Sequence, residues 1–216
     1  MFKIICVTNR HLCPEPLDKR IRRLVQPKPT QAPATLYTPD FIVLREKDLP
    51  EVEYLALAER TLPLCEGTGV ELILHNYPEV AWELGYNKIH LPLQVLRSLT
   101  DTERKRFNVL GASCHSLVDV QEAKALGCTY VTLGHIFATN CKKGIEPRGL
   151  PFLESVCSQS DLPVYAIGGI RSDTIGATKN AGAQGACIMS GLMVCQDPAS
   201  EIRSLRTMAE DTVRFH

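Results

Sequence analysis

Short runs of apolar and β-branched residues recur along the whole chain: KIICVT, FIVLRE, ELILHN, KIHLP, VLGASC, YVTLGHI, PVYAIGG and GACIMSG. Between most of them the apolar positions return every three or four residues. Such segments are YLALAERTLPLCEG from Tyr54, PEVAWELG from Pro78, SLVDVQEAKALG from Ser116, PFLESVCSQ from Pro151, SDTIGATKNAG from Ser172 and PASEIRSLRTMAEDTVRF from Pro198. The first pattern predicts strands and the second amphipathic helices. Ser116 and Ser172 stand where helices start, and Gly127 and Gly182 where they stop. Strands that are apolar throughout and separated by helices predict a parallel sheet buried on both faces. Eight such units in 216 residues leave about 27 residues each, near the minimum length of a βαβ repeat. The spacing favours a single (β/α)8 TIM barrel across residues 1–216, with an open doubly wound sheet as the alternative.

The periodicity breaks between Val25 and Asp40, where four prolines exclude a regular helix or a central strand. This stretch reads as a surface connection. With 44% hydrophobic residues the chain can bury one substantial core. Lys plus Arg equal Asp plus Glu, so net charge gives no reason to expect nucleic acid or an anionic membrane surface as a partner. The five-residue apolar run in MFKIICVTNR is too short for a signal or membrane segment, and the expectation is a cytoplasmic protein. The nine cysteines are spread evenly with no CxxC pair. They are expected to be reduced thiols, with Cys6 and Cys187 acting as small core hydrophobes.

In such a barrel the residues at the C-terminal strand ends share one pocket. Here they are Thr8 and Asn9, Arg45 and Lys47, His75 and Asn76, His90, Ser113 and His115, His135, Gly168 and Gly169, and Ser190 and Gly191. The loop after the sixth strand adds Thr139, Cys141, Lys142 and Lys143. The set is polar and mostly cationic. Two glycine-bearing turns after the last two strands, about twenty residues apart, are suited to cradle a phosphate. Alternation along LREK sends Arg45 and Lys47 one way and Glu46 the other. His115 follows Ser113 by two and can face the same pocket, where an imidazole can take and return a proton near neutral pH. No HxH or HxxxH spacing and no strand-end carboxylate accompany the histidines, so no metal site is expected.

The ordered motifs CVTNR, LREK, ILHN, IHL, GASCHS, VTLGHIFATNCKKG, AIGGI and GACIMSG resemble the thiamine phosphate synthase and TenI superfamily over nearly the whole chain. That resemblance implies the same (β/α)8 barrel. Its synthase branch joins a pyrimidine diphosphate to a thiazole phosphate and holds magnesium with two Asp residues, one in an Asn-Asp pair after the third strand and one in a GQxD-like stretch after the fourth. This chain has His75-Asn76 at the first place and Val95 at the second. The TenI branch, a thiazole tautomerase, lacks those carboxylates, and GHIFATNCKKGIEPRG is similar to its long motif.

The resemblance therefore implies a metal-independent thiazole tautomerase acting on a carboxythiazole phosphate. His115 would be the proton shuttle, and no cofactor is expected. Arg45, Lys47, Asn76, Ser113, Thr139, Cys141, Lys142, Gly168, Gly169, Ser190 and Gly191 would bind substrate. The alternative is a synthase that recruits magnesium through its substrate's phosphates and through Glu46 or Asp48. A second alternative is a non-catalytic barrel that binds thiazole or thiamine phosphates, and a homo-oligomer is open in each case.

Overall fold

The computed structural model describes residues 1–27, 32–142 and 144–211. Eight parallel strands close into a barrel in sequence order. They are β1 (Lys3–Val7), β2 (Phe41–Val43), β3 (Glu71–His75), β4 (Lys88–Pro92), β5 (Val109–Cys114), β6 (Tyr130–Gly134), β7 (Val164–Ile167) and β8 (Gly185–Ile188). β1 pairs with both β2 and β8, so the sheet has no free edge. The (β/α)8 expectation holds, and the open sheet is excluded.

The helices are α1 (Leu17–Val25), α2 (Glu51–Cys65), α3 (Pro78–Glu83), α4 (Leu93–Ser98), α5 (Asp101–Arg104), α6 (Leu117–Ala125), α7 (Gly149–Cys157), α8 (Ile175–Asn180), α9 (Ser190–Val194) and α10 (Pro198–Asp211). None is long and apolar enough to cross a membrane. Ser116 caps α6 by accepting from the Asp119 N–H. Ser172 does not cap α8: the helix begins three residues later, after a turn in which the Arg171 N–H donates to Thr174 Oγ1. The short α4 and α5 carry too few turns to print a periodicity on the sequence. Of the Pro-rich connection, residues 28–31 lie outside the described residues. Its beginning closes α1, and Ala34–Leu36 form a 3₁₀ turn.

Alternation along each strand sorts the chemistry into two layers. Ile4, Cys6, Ile42, Leu72, Leu74, Ile89, Leu91 and their counterparts face the helices and build the main core. The opposite residues fill the barrel, where Ile5, Val7, Val43, Ile73 and Cys187 make an inner apolar cluster. Cys6 and Cys187 are both buried, one on each side of the sheet, as expected of packing thiols. Toward the N-terminal mouth, Phe41, Tyr130 and Tyr165 pack ring against ring with centroids 5.2 to 5.7 Å apart. Toward the other mouth the filling turns polar. His75 and His90 are register partners across β3 and β4, and Ser113 and Thr132 across β5 and β6.

Candidate active site

The polar layer is built around His90. Its Nε2 lies 2.9 Å from Ser113 Oγ and its Nδ1 3.1 Å from Tyr130 Oη. Gly111 makes that contact available, because a Cβ there would stand 2.2 Å from Tyr130 Cζ and 2.6 Å from His90 Nδ1. His75 stacks on His90 at 5.9 Å, and its buried Nδ1 has no hydrogen-bond partner among the described residues. Burial, followed by the positive charges of Lys47 and Arg45, pushes His90 down to about 3. The same burial, then His90, Lys47 and Arg45, holds His75 well below the ordinary histidine value. Both imidazoles are therefore neutral at physiological pH. Lys47 and Arg45 are thus near enough for their charge to act on both buried imidazoles.

Lys47 itself is lowered by partial withdrawal from solvent and then by the positive charges of Arg45 and Lys142. Three cations, from the loops after β2 and β6, thus share one region. Glu46 points the other way, as alternation predicts. It is 2% exposed, accepts a 2.7 Å hydrogen bond from Thr8 Oγ1, and takes the Arg10 N–H and guanidinium. Asp48 is gripped by the Arg10 guanidinium at 2.7 and 2.5 Å and by His11 Nε2 at 2.9 Å. Arg10 and then His11 hold its carboxyl well below the usual carboxylate range. Arg10 thus ties the β1 loop to both carboxylates of the β2 loop. Sequence alone did not mark this role, since Arg10 carries no spacing signal.

Of the other expected site residues, Ser113 points into the barrel toward His90, whereas His115 lies one step past β5 and is exposed. His115 Nδ1 contacts the Gly134 carbonyl at 2.9 Å, and its backbone N–H donates to Asp119. Asn76 follows β3 with a positive φ of 73°, and its N–H donates to the His90 carbonyl. Thr139 opens the 3₁₀ turn Asn140–Lys142 by accepting from the Lys142 N–H. The side chain of Cys141 and the whole of Lys143 lie outside the described residues.

The glycine turn after β7 is fitted to the loop after β6. A Cβ on Gly168 would meet His135 Cβ at 2.3 Å, and one on Gly169 would meet the Ala138 carbonyl oxygen at 2.5 Å. Both have positive φ, 101° and 68°. The first job of this pair is close packing of that loop, and β7 sits beside β8, whose end carries Ser190 and Gly191. Gly169→Ala is expected to cost at least about 2 kcal/mol from the left-handed backbone and the displaced carbonyl. In thermal unfolding that is a loss of about 4–8 °C for a chain of this size; an unchanged Tm would refute the fit.

Two cavities open elsewhere on the barrel, the first reaching Tyr130 from below. One of about 420 Å³ opens among Lys3, Asp40, Phe41, Tyr165 and Arg206 at the N-terminal mouth. Another of about 640 Å³ lies between α1 and the start of α10. The site is assigned by convergent chemistry at the C-terminal mouth rather than by cavity size.

Magnesium takes a shell of oxygen ligands, and the protein's share of it is one or two carboxylates. At the two expected places the chain offers the amide of Asn76 and the methyls of Val95, which pack against the main core. No group of three His, Cys, Asp or Glu residues able to hold a metal occurs among the described residues. The residues present do not fit a protein-held magnesium ion.

Comparison with known proteins settles the branch against the tautomerase expectation. A thiamine-phosphate synthase from Roseiflexus sp. is 32% identical over 173 residues, covering 77% of this chain and 72% of the relative. Another from Syntrophomonas wolfei is 31% identical over 175 residues, covering 78% and 82%. A solved thiamine phosphate pyrophosphorylase from Pyrococcus furiosus superposes with a TM-score of 0.79 over 98% of this chain and 97% of that one. At 22% identity that likeness speaks for the fold alone. The tautomerase expectation gave two missing carboxylates more weight than the rest of the chain, whose similarity runs to synthases. The shuttle role expected of His115 belonged to the tautomerase reaction; the structure places this residue at an exposed position with Nδ1 2.9 Å from the Gly134 carbonyl. The thiamine monophosphate synthase (TMP-TENI) family profile matches residues 4–192, and the chain belongs to that family.

Proposed function

We propose that this protein is a thiamine-phosphate synthase, a transferase that joins hydroxymethylpyrimidine diphosphate to a thiazole phosphate. The ring nitrogen of the thiazole attacks the pyrimidine methylene, the methylene–oxygen bond breaks, and pyrophosphate leaves with the bonding pair. The observation that carries this reading is the Arg45, Lys47 and Lys142 cluster, in which the charges acting on Lys47 are both positive. Such a cluster is complementary to a group on which negative charge accumulates as the bond breaks. The names of the curated relatives support the same reaction.

The thiazole phosphate would sit on the opposite side of the mouth, against the turns at Gly168, Gly169, Ser190 and Gly191. Thr139 lies on the loop between the two subsites, with Ser113 and Asn76 on the strand ends that line them. The neutral His90, bonded to Ser113 and Tyr130, keeps the floor beneath both anions rigid and uncharged. No proton has to be shuttled in this transfer, so His115→Asn is expected to keep kcat/KM within about threefold, since it removes one hydrogen bond to a backbone carbonyl worth about 0.5–1.5 kcal/mol, much of which the Asn amide can remake. Purified protein mixed with both substrates, with and without magnesium, is expected to yield thiamine phosphate by mass. Absence of that product in both conditions overturns the reading.

A further inference from the structure

We propose that this chain carries no magnesium site of its own, so that the diphosphate placed on Arg45, Lys47 and Lys142 in the reading above meets those cations with no protein-held metal between them. The inference rests on the transferase reading above and concerns how its leaving group is bound.

Four observations carry it. The two positions where a carboxylate would hold the metal are Asn76, a neutral amide, and Val95, an aliphatic side chain turned into the core. The carboxylates next to Arg45 and Lys47 in sequence are already committed. Glu46 is buried under Thr8 and Arg10, and Asp48 is gripped by Arg10 and His11. Freeing either for a metal would take from the Arg10 guanidinium one of its two carboxylate partners and weaken the link between the β1 and β2 loops. The groups beneath the mouth are neutral imidazoles, and Lys47 and Arg45 disfavour their protonation. Finally, the buried His75 Nδ1 has no partner among the described residues. A neutral imidazole with an open nitrogen beside cations can donate to an anion as readily as it can accept.

A divalent cation entering this mouth meets positive charge on Lys47, Arg45 and Lys142 and no available carboxylate among those named. A diphosphate meets the reverse: each cation that crowds the others gains a counter-charge, and charge-assisted hydrogen bonds replace the repulsion. The mouth is therefore built for an anion carrying no metal of the protein's own.

Titration of the full chain with inorganic pyrophosphate in a calorimeter, in excess EDTA and again in millimolar magnesium, tests this. The expected dissociation constants agree within about threefold. Lys47→Met weakens binding at least tenfold in both buffers, and Lys47→Arg retains it; removing one charged hydrogen-bond donor is worth that much. Binding seen only with magnesium, or binding indifferent to Lys47→Met, overturns the proposal. A thiamine phosphate assay on the same preparation separates the two claims. Synthesis accompanied by strictly magnesium-dependent pyrophosphate binding overturns the metal-free site and leaves the reaction standing. Pyrophosphate binding in EDTA without synthesis in either buffer overturns the reaction and leaves the site standing.

Discussion

Replacing Arg45 and Lys47 together by Met is expected to lower kcat/KM for thiamine phosphate formation about 10²- to 10⁴-fold. Each cation contributes charged hydrogen bonds worth about 1.5–3 kcal/mol, and the two face one leaving group. Their effects should fall short of additive, because both act on the same charge and each alters the other's field. If negative charge builds on the departing diphosphate, kcat should fall more than KM rises. The protein should still fold, since Lys47 is exposed and Arg45 lies only partly buried in a loop. Steady-state kinetics of the two single variants and the double variant give the result. A loss below threefold in the double variant would remove the cation cluster from the reaction.

The second large effect is on stability. Burial first, and then Lys47 and Arg45, push His90 down to about 3, while the unfolded chain binds a proton at the ordinary value near 6.5. Between those values the unfolded state carries a proton that the native state refuses, so stability rises with pH through this window and is lost as pH falls. The slope is up to about 1.4 kcal/mol per pH unit for His90. His75 is shifted the same way and adds to it. Urea unfolding between pH 6.5 and 5 isolates the histidines, because ordinary carboxylates titrate lower. His90→Gln should flatten the slope whatever it does to absolute stability. A flat profile in the unmodified protein would mean that the polar layer is open to water.

The barrel was legible because each strand pays the same local tax twice: apolar residues on both faces give unbroken runs such as KIICVT and YVTLGHI, and a parallel sheet is the arrangement that buries both. Alternation also revealed that Glu46 turns away from Arg45 and Lys47. What it could not reveal was Glu46's partner, since Thr8 and Arg10 lie nearly forty positions earlier. The polar layer was half visible. His75, His90 and Ser113 were placed at strand ends, but the link from His90 to Tyr130 depends on Gly111, which in sequence is only a glycine inside a strand. The pair Gly168-Gly169 read as a phosphate cradle, and its close fit against the His135–Ala138 backbone emerged only in three dimensions. The tautomerase expectation rested on the GHIFATNCKKGIEPRG motif and on two absent carboxylates, and the second ground was weak. Two absent carboxylates state which metal ligands are missing, and they say nothing of how a cationic mouth could bind the same diphosphate.

In the proposed reaction this protein transfers a pyrimidine methylene from diphosphate to thiazole nitrogen. The most direct test is quantitative: with both substrates present, pyrophosphate and thiamine phosphate are measured together over time, and each substrate is then omitted in turn. One pyrophosphate is expected to be released per thiamine phosphate formed, and neither when a substrate is missing. Pyrophosphate released without thiamine phosphate, or a thiazole phosphate altered while the diphosphate stays intact, would contradict it.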